Sequence, residues 1–197
     1  MPAPEPIRYW YSLGRTWFGA ELHVHLSVVV VTVVVALVAV ENPAYAAVTL
    51  ASYLGLILLH ELGHAAVAHH FGYRVTGIRL AVLHGLCEFQ SPERPWEWEL
   101  CLIAWGGVVA QLAVALPLLA FDFFWNRPLG ILGPVVLIFG YYSCAIVIYN
   151  LIPAGRRDGV RAWRIVPLLW QQHQARQTVR DLLARGGSRS NRRRRAR

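Results

Sequence analysis

Four long apolar stretches, residues 24–40, 44–67, 100–121 and 129–149, constrain this chain more than any other feature. A helix needs about 20 predominantly apolar residues to cross a hydrocarbon core of about 30 Å, and charges, Pro or Gly bound each stretch. The first is valine-rich and β-prone in water, but an uncharged apolar block of this length reads as a membrane helix. Composition agrees, because 56% hydrophobic and 15% charged residues are unlike a water-exposed surface. The sequence predicts an all-α polytopic membrane protein with about four transmembrane helices.

Around residues 24–159, the expected transmembrane core, the flanks read differently. Residues 1–23 form an interfacial segment in which Tyr9, Trp10, Tyr11, Trp17 and Phe18 suit the headgroup region. No small-residue cleavage pattern ends the first apolar run, so it is not read as a cleaved signal peptide. Residues 160–185 mix Trp163, Ile165, Leu168, Leu169, Trp170 and Val179 with arginines and glutamines, as amphipathic helices lying on a membrane do. Residues 186–197 are mostly Arg, Gly, Ser and Asn, which predicts an unstructured tail drawn to anionic lipid. No specific nucleic-acid partner is expected.

The net charge of +8 is carried by arginine without any lysine. Four crossings would gather Arg8, Arg15, Arg74, Arg79, Arg94 and the tail on one side, leaving Arg127 opposite. Short basic segments stay in the cytoplasm, so both termini are expected there, in a bacterial inner membrane. Residues 73–89 are rich in Val, Ile, Leu and Thr with Gly77 and Gly85 as turn points, which predicts a small membrane-associated β segment between the second and third spans. An exposed edge there would accept a substrate strand.

Within the second span lies His60-Glu61-Leu62-Gly63-His64. Histidines at i and i+4 share one helical face and can hold a single Zn2+ ion. Zinc lowers the pKa of a ligated water towards about 7, and Glu61 is the candidate general base for amide hydrolysis. Charged groups at mid-membrane cost about 2.5–3.5 kcal/mol each on insertion scales, which weighs against these residues being mere packing. Catalytic zinc usually takes three protein ligands and leaves a fourth position open. Asp158 is the best third candidate, because it follows the fourth span at the membrane level reached by the histidines. A solvated acid paired with Arg156 or Arg157 is the plain alternative, and Glu88, Glu93, Glu97 and Glu99 are other possible ligands.

The two motifs, His60-Glu61-x-x-His64 and Asn150-x-x-Pro153 followed by Asp158-Gly159, resemble those of the site-2 proteases, a family of intramembrane zinc metalloproteases. The resemblance extends over residues 18–167 and implies zinc ligands at His60, His64 and Asp158. It also implies a membrane-protein substrate cut within a transmembrane segment, and a role for Asn150 in holding the substrate backbone. Asn150 could equally cap its helix. Where the family usually carries a second Pro and an apolar residue before Asp-Gly, this chain has Gly155, Arg156 and Arg157. Gly106, Gly107 and Ala110, beside Gln111, predict close helix packing.

The remaining candidates are weaker. His84 and Cys87 would make half a metal site at most, and Cys101 and Cys144 read as apolar fillers. His23, His25, His69 and His70 carry no assigned chemistry. With no inserted domain or repeat, the chain is expected to be close to a bare catalytic core. A proteolytically inactive zinc-binding scaffold and a metal or proton transporter are the competing readings. The first would fit a site lacking its base, and the second would fit polar residues lining both halves of the membrane.

Overall fold

The computed structural model describes residues 10–16, 19–82, 84–90, 95–125, 129–155 and 157–195, with side chains described to residue 180. Glu5, Arg8, Tyr9, Trp17, Phe18, Glu93, Arg94, Arg127 and Arg156 lie outside these residues. Strands β1 (Trp10–Arg15) and β2 (Glu21–His25) precede helix α1 (Leu26–Val38) and helix α2 (Pro43–His70). Strands β3 (Arg74–Leu80) and β4 (Gly85–Gln90) then lead into α3 (Glu97–Trp125). A composite helix α4 (Gly130–Leu151) follows, with a π-helical stretch over Leu137–Tyr142. Two further helices, α5 (Gly159–Ala162) and α6 (Ile165–Arg195), follow among the described residues.

Among the described residues three helices, α2, α3 and α4, are long and apolar enough to cross a membrane. The first predicted span is different, because α1 has 13 residues and is therefore about 20 Å long, short of the hydrocarbon thickness. Its N-terminal side is taken up by β2, and Glu41-Asn42-Pro43 separates it from α2. The Asn42 side chain accepts from the Tyr45 amide at 3.2 Å and Pro43 stands at the first turn, a strong helix start. At the other end Gly72, with φ +78°, supplies the left-handed residue that reverses the chain, and the Tyr73 amide bonds the Ala68 carbonyl at 3.0 Å.

All four strands form one sheet in the order β1-β2-β3-β4. The hairpin expected between the second and third spans is β3–β4, paired antiparallel. It is joined by an N-terminal hairpin, because β2 lies parallel to β3, so residues 10–15 and 21–25 belong to the sheet. A register shift between Val75 and Gly77 is the reason β3 alternates poorly in sequence. The inner face of the sheet contributes Val75, Ile78 and Leu80 to a core with Ala65 and Ala68 of α2 and Ile103 of α3. This packing sets the sheet beside the metal-binding motif.

Helices α2 and α3 cross at Gly63 and Gly106. A methyl on Gly63 would collide with the Gly106 carbonyl, and one on Gly106 would stand 2.9 Å from Val67. Beyond α4, Trp163 and Trp170 are exposed apolar residues. The helix backbone of α6 continues from Gly186 to Arg195, where composition predicts no regular structure. Arginine is among the better helix formers, and lengthening an existing helix costs far less than starting one.

Candidate metal centre

His60 and His64 lie one turn apart on the buried face of α2, and Asp158 reaches them from the turn between α4 and α5. His60 Nε2 stands 3.0 Å from His64 Nε2 and 3.0 Å from Asp158 Oδ2, with His64 Nε2 to Asp158 Oδ2 at 3.3 Å. A tetrahedral zinc with bonds of 2.0–2.1 Å requires ligand atoms about 3.3 Å apart. The triangle is close to that size, and its donors, two imidazole nitrogens and a carboxylate oxygen, are zinc's usual partners.

The outward nitrogens are also committed. His64 Nδ1 donates to the Ile103 carbonyl at 2.7 Å, and His60 Nδ1 donates to Gln111 Oε1 at 3.0 Å. Each bond fixes the tautomer that turns the Nε2 lone pair towards the metal position. Both acceptors belong to α3. Gly107 on the same helix makes room for the rings, since a methyl there would stand 2.6 Å from His60 Cε1 and 2.7 Å from His64 Nε2. Gln111 lies one turn further on and is the main functional contact that sequence reasoning missed. The available signal was the i, i+4 spacing from Gly107.

The Asp158 turn is held in place by two indoles. Trp105 Nε1 donates to the Ala162 carbonyl at 3.1 Å and Trp163 Nε1 to the Leu151 carbonyl at 2.7 Å, with the two rings edge to face at 5.7 Å. Gly159 is required for this closure, because a methyl would strike the Leu151 carbonyl. Asp158 stands at the N-terminus of α5 but its side chain caps no amide, and its carboxylate is therefore free for the metal.

The alternative third ligands among the described residues are engaged elsewhere. Arg157 stacks on Tyr149, its guanidinium carbon 4.1 Å from the ring centroid, and does not pair with Asp158. Glu88 meets Arg79 at 3.1 Å, Glu99 accepts from Tyr73 at 2.8 Å, and Glu97 lies 3.8 Å from Arg164. Burial, with the carboxylates of Glu61 and Glu88, pushes the Cys87 thiol up to about 12, and its sulfur is not among the donor atoms that cluster at the triad.

Glu61 is buried beside the triad, and its carboxylate accepts the Cys87 backbone amide. Gly85 provides its space, since a methyl there would collide with the Glu61 side chain. These elements enclose a cavity of about 970 Å³ whose walls include the triad, Glu61, β4, Asn150 and Tyr149. The Asn150 amide nitrogen approaches His60 Nε2 to 3.5 Å. His84 also lines this cavity.

Residues 45–117 match the model of Peptidase family M50. A putative zinc metalloprotease of Synechocystis sp. is 28% identical over 116 residues, covering 58% of this chain and 29% of the relative. A zinc metalloprotease of Methanocaldococcus jannaschii is 27% identical over 150 residues, covering 75% of this chain and 43% of the relative. The chain thus spans less than half the length of these curated relatives. The solved structure of a site-2 protease from Methanocaldococcus jannaschii superposes with a TM-score of 0.63 at 23% identity, covering 80% of this chain and 71% of that one. The fold is therefore that of a site-2 protease.

Proposed function

We propose that this chain is an intramembrane zinc metalloprotease that hydrolyses peptide bonds in the transmembrane segments of other membrane proteins. The observation that carries this reading is the triangle of His60, His64 and Asp158, sized for zinc, with Glu61 beside it. Zinc, when bound, polarises a carbonyl and makes water a stronger acid.

The residues of the chain do the rest. Glu61 takes a proton from the attacking water as the new C–O bond forms, then delivers it to the amine as the C–N bond breaks. The outer edge of β4 lines the cavity and pairs with an extended substrate, exposing its backbone to attack. Asn150, which also lines the cavity, offers its amide to the substrate backbone. Helix α6 rests on anionic lipid through its arginines.

The scaffold and transporter readings fit less well. Glu61 supplies the base a scaffold would lack, and the described ionisable groups of the site gather at one level, where the end of α4 meets His60 of α2. The test is cleavage of a transmembrane peptide by purified, zinc-loaded protein in lipid discs. The wild type is expected to cut it, and Glu61→Gln to retain zinc while losing at least about 100-fold in rate. Equal rates would overturn Glu61 as base.

A further inference from the structure

We propose that Arg157 and Arg161 form a cationic mouth to the cavity that selects substrates with acidic residues flanking the scissile bond on that side. This inference rests on the protease reading and names the substrate class the site prefers. Arg157 immediately precedes Asp158. Both arginines line the cavity. Arg157 is held at the wall by the Tyr149 ring, which keeps its charge beside the site at low entropic cost. Neither arginine forms an ion pair among the described residues, whereas Arg164, one turn beyond, turns to Glu97.

The described acids of the cavity wall are Glu61 and Asp158, and a divalent metal offsets both charges. Two guanidinium charges are then left without a counter-charge at the entrance. Membrane proteins usually carry Lys or Arg on the cytoplasmic flank of a span. With the mouth on that side, as the charge distribution predicts, it repels the common flank and admits the uncommon acidic one. Exposed charge pairs each change affinity about two- to fivefold, so exchanging attraction for repulsion at two arginines predicts about a tenfold difference.

The experiment uses three fluorescent transmembrane peptides that differ in two flanking residues, Glu-Glu, Gln-Gln or Lys-Lys. Their binding to zinc-loaded Glu61→Gln protein is measured in zwitterionic lipid discs, so that no cleavage occurs and no anionic lipid competes. The expected order is Glu over Gln over Lys, about tenfold between the extremes and compressed by salt. Arg157→Gln with Arg161→Gln should erase the order, and Arg161→Glu alone, three residues from the ligand, should reduce or reverse it. Equal binding of the three peptides overturns the proposal, as does an order that survives these substitutions. Cleavage of the Gln-flanked peptide by the wild type reports separately on the protease reading. Ordered binding without cleavage would sink that reading and leave the mouth standing.

Discussion

Replacing Gln111 by Met removes the acceptor that faces His60 Nδ1 while keeping nearly the same side-chain length. Gln111 is 1% exposed and its Oε1 accepts at 3.0 Å. The imidazole N–H is left buried and unpaired, at a cost of about 1–3 kcal/mol. The ring can escape that cost only by turning or changing tautomer, and either movement takes the Nε2 lone pair from the metal. At about 1.4 kcal/mol per tenfold, zinc should bind about 5- to 150-fold more weakly, which brackets the about 10- to 100-fold typical of such outer partners. The assay is competition with a chromophoric chelator on purified protein in detergent. Gln111→Glu, which keeps an acceptor, should retain wild-type affinity or exceed it. A Met variant within twofold of the wild type would refute the claim that Gln111 orients His60.

Other consequences follow from specific contacts. Gly107→Ala places a methyl 2.7 Å from His60 Nδ1 and His64 Nε2, and should abolish zinc binding in the same competition assay. Gly85→Ala collides with Glu61 but not with the triad, so zinc content should stay near the wild-type value while peptide cleavage falls at least tenfold. With its thiol at about 12, Cys87 should react with maleimide at pH 8 at least 100-fold more slowly than a free cysteine, since the thiolate is the nucleophile. Labelling should accelerate as pH rises towards that value, which mass spectrometry of the modified peptide would follow.

Much of the site was legible because the membrane makes charge conspicuous. His60, Glu61 and His64 interrupt an otherwise apolar span, and the cost of ionisable groups at that depth singles them out. Asp158 followed from chain direction, since the end of α4 reaches the level of His60 on α2. Gln111 and the Ile103 carbonyl were less visible: an uncharged amide disrupts an apolar helix little, and a backbone acceptor has no sequence signature. The sheet was half visible. Leu22 and Val24 alternate with Glu21, His23 and His25 in β2, but Val24 also begins the valine-rich run, which drew these residues into the flank and start of a span. Parallel pairing of β2 with β3 joins residues more than fifty positions apart, and local periodicity cannot report such a contact. Within the π-helical stretch of α4, Gly140 lets Leu119 approach, another contact between distant residues.

The account stands most directly on the metal and its third ligand, and elemental analysis of protein purified in detergent without chelators tests both. The wild type should carry one zinc per chain, and Asp158→Ala should lose most of it, because two imidazoles four residues apart on one helix make an incomplete site. Zinc retained in full by Asp158→Ala, or none in the wild type, would contradict the three-ligand centre on which the proposed chemistry depends.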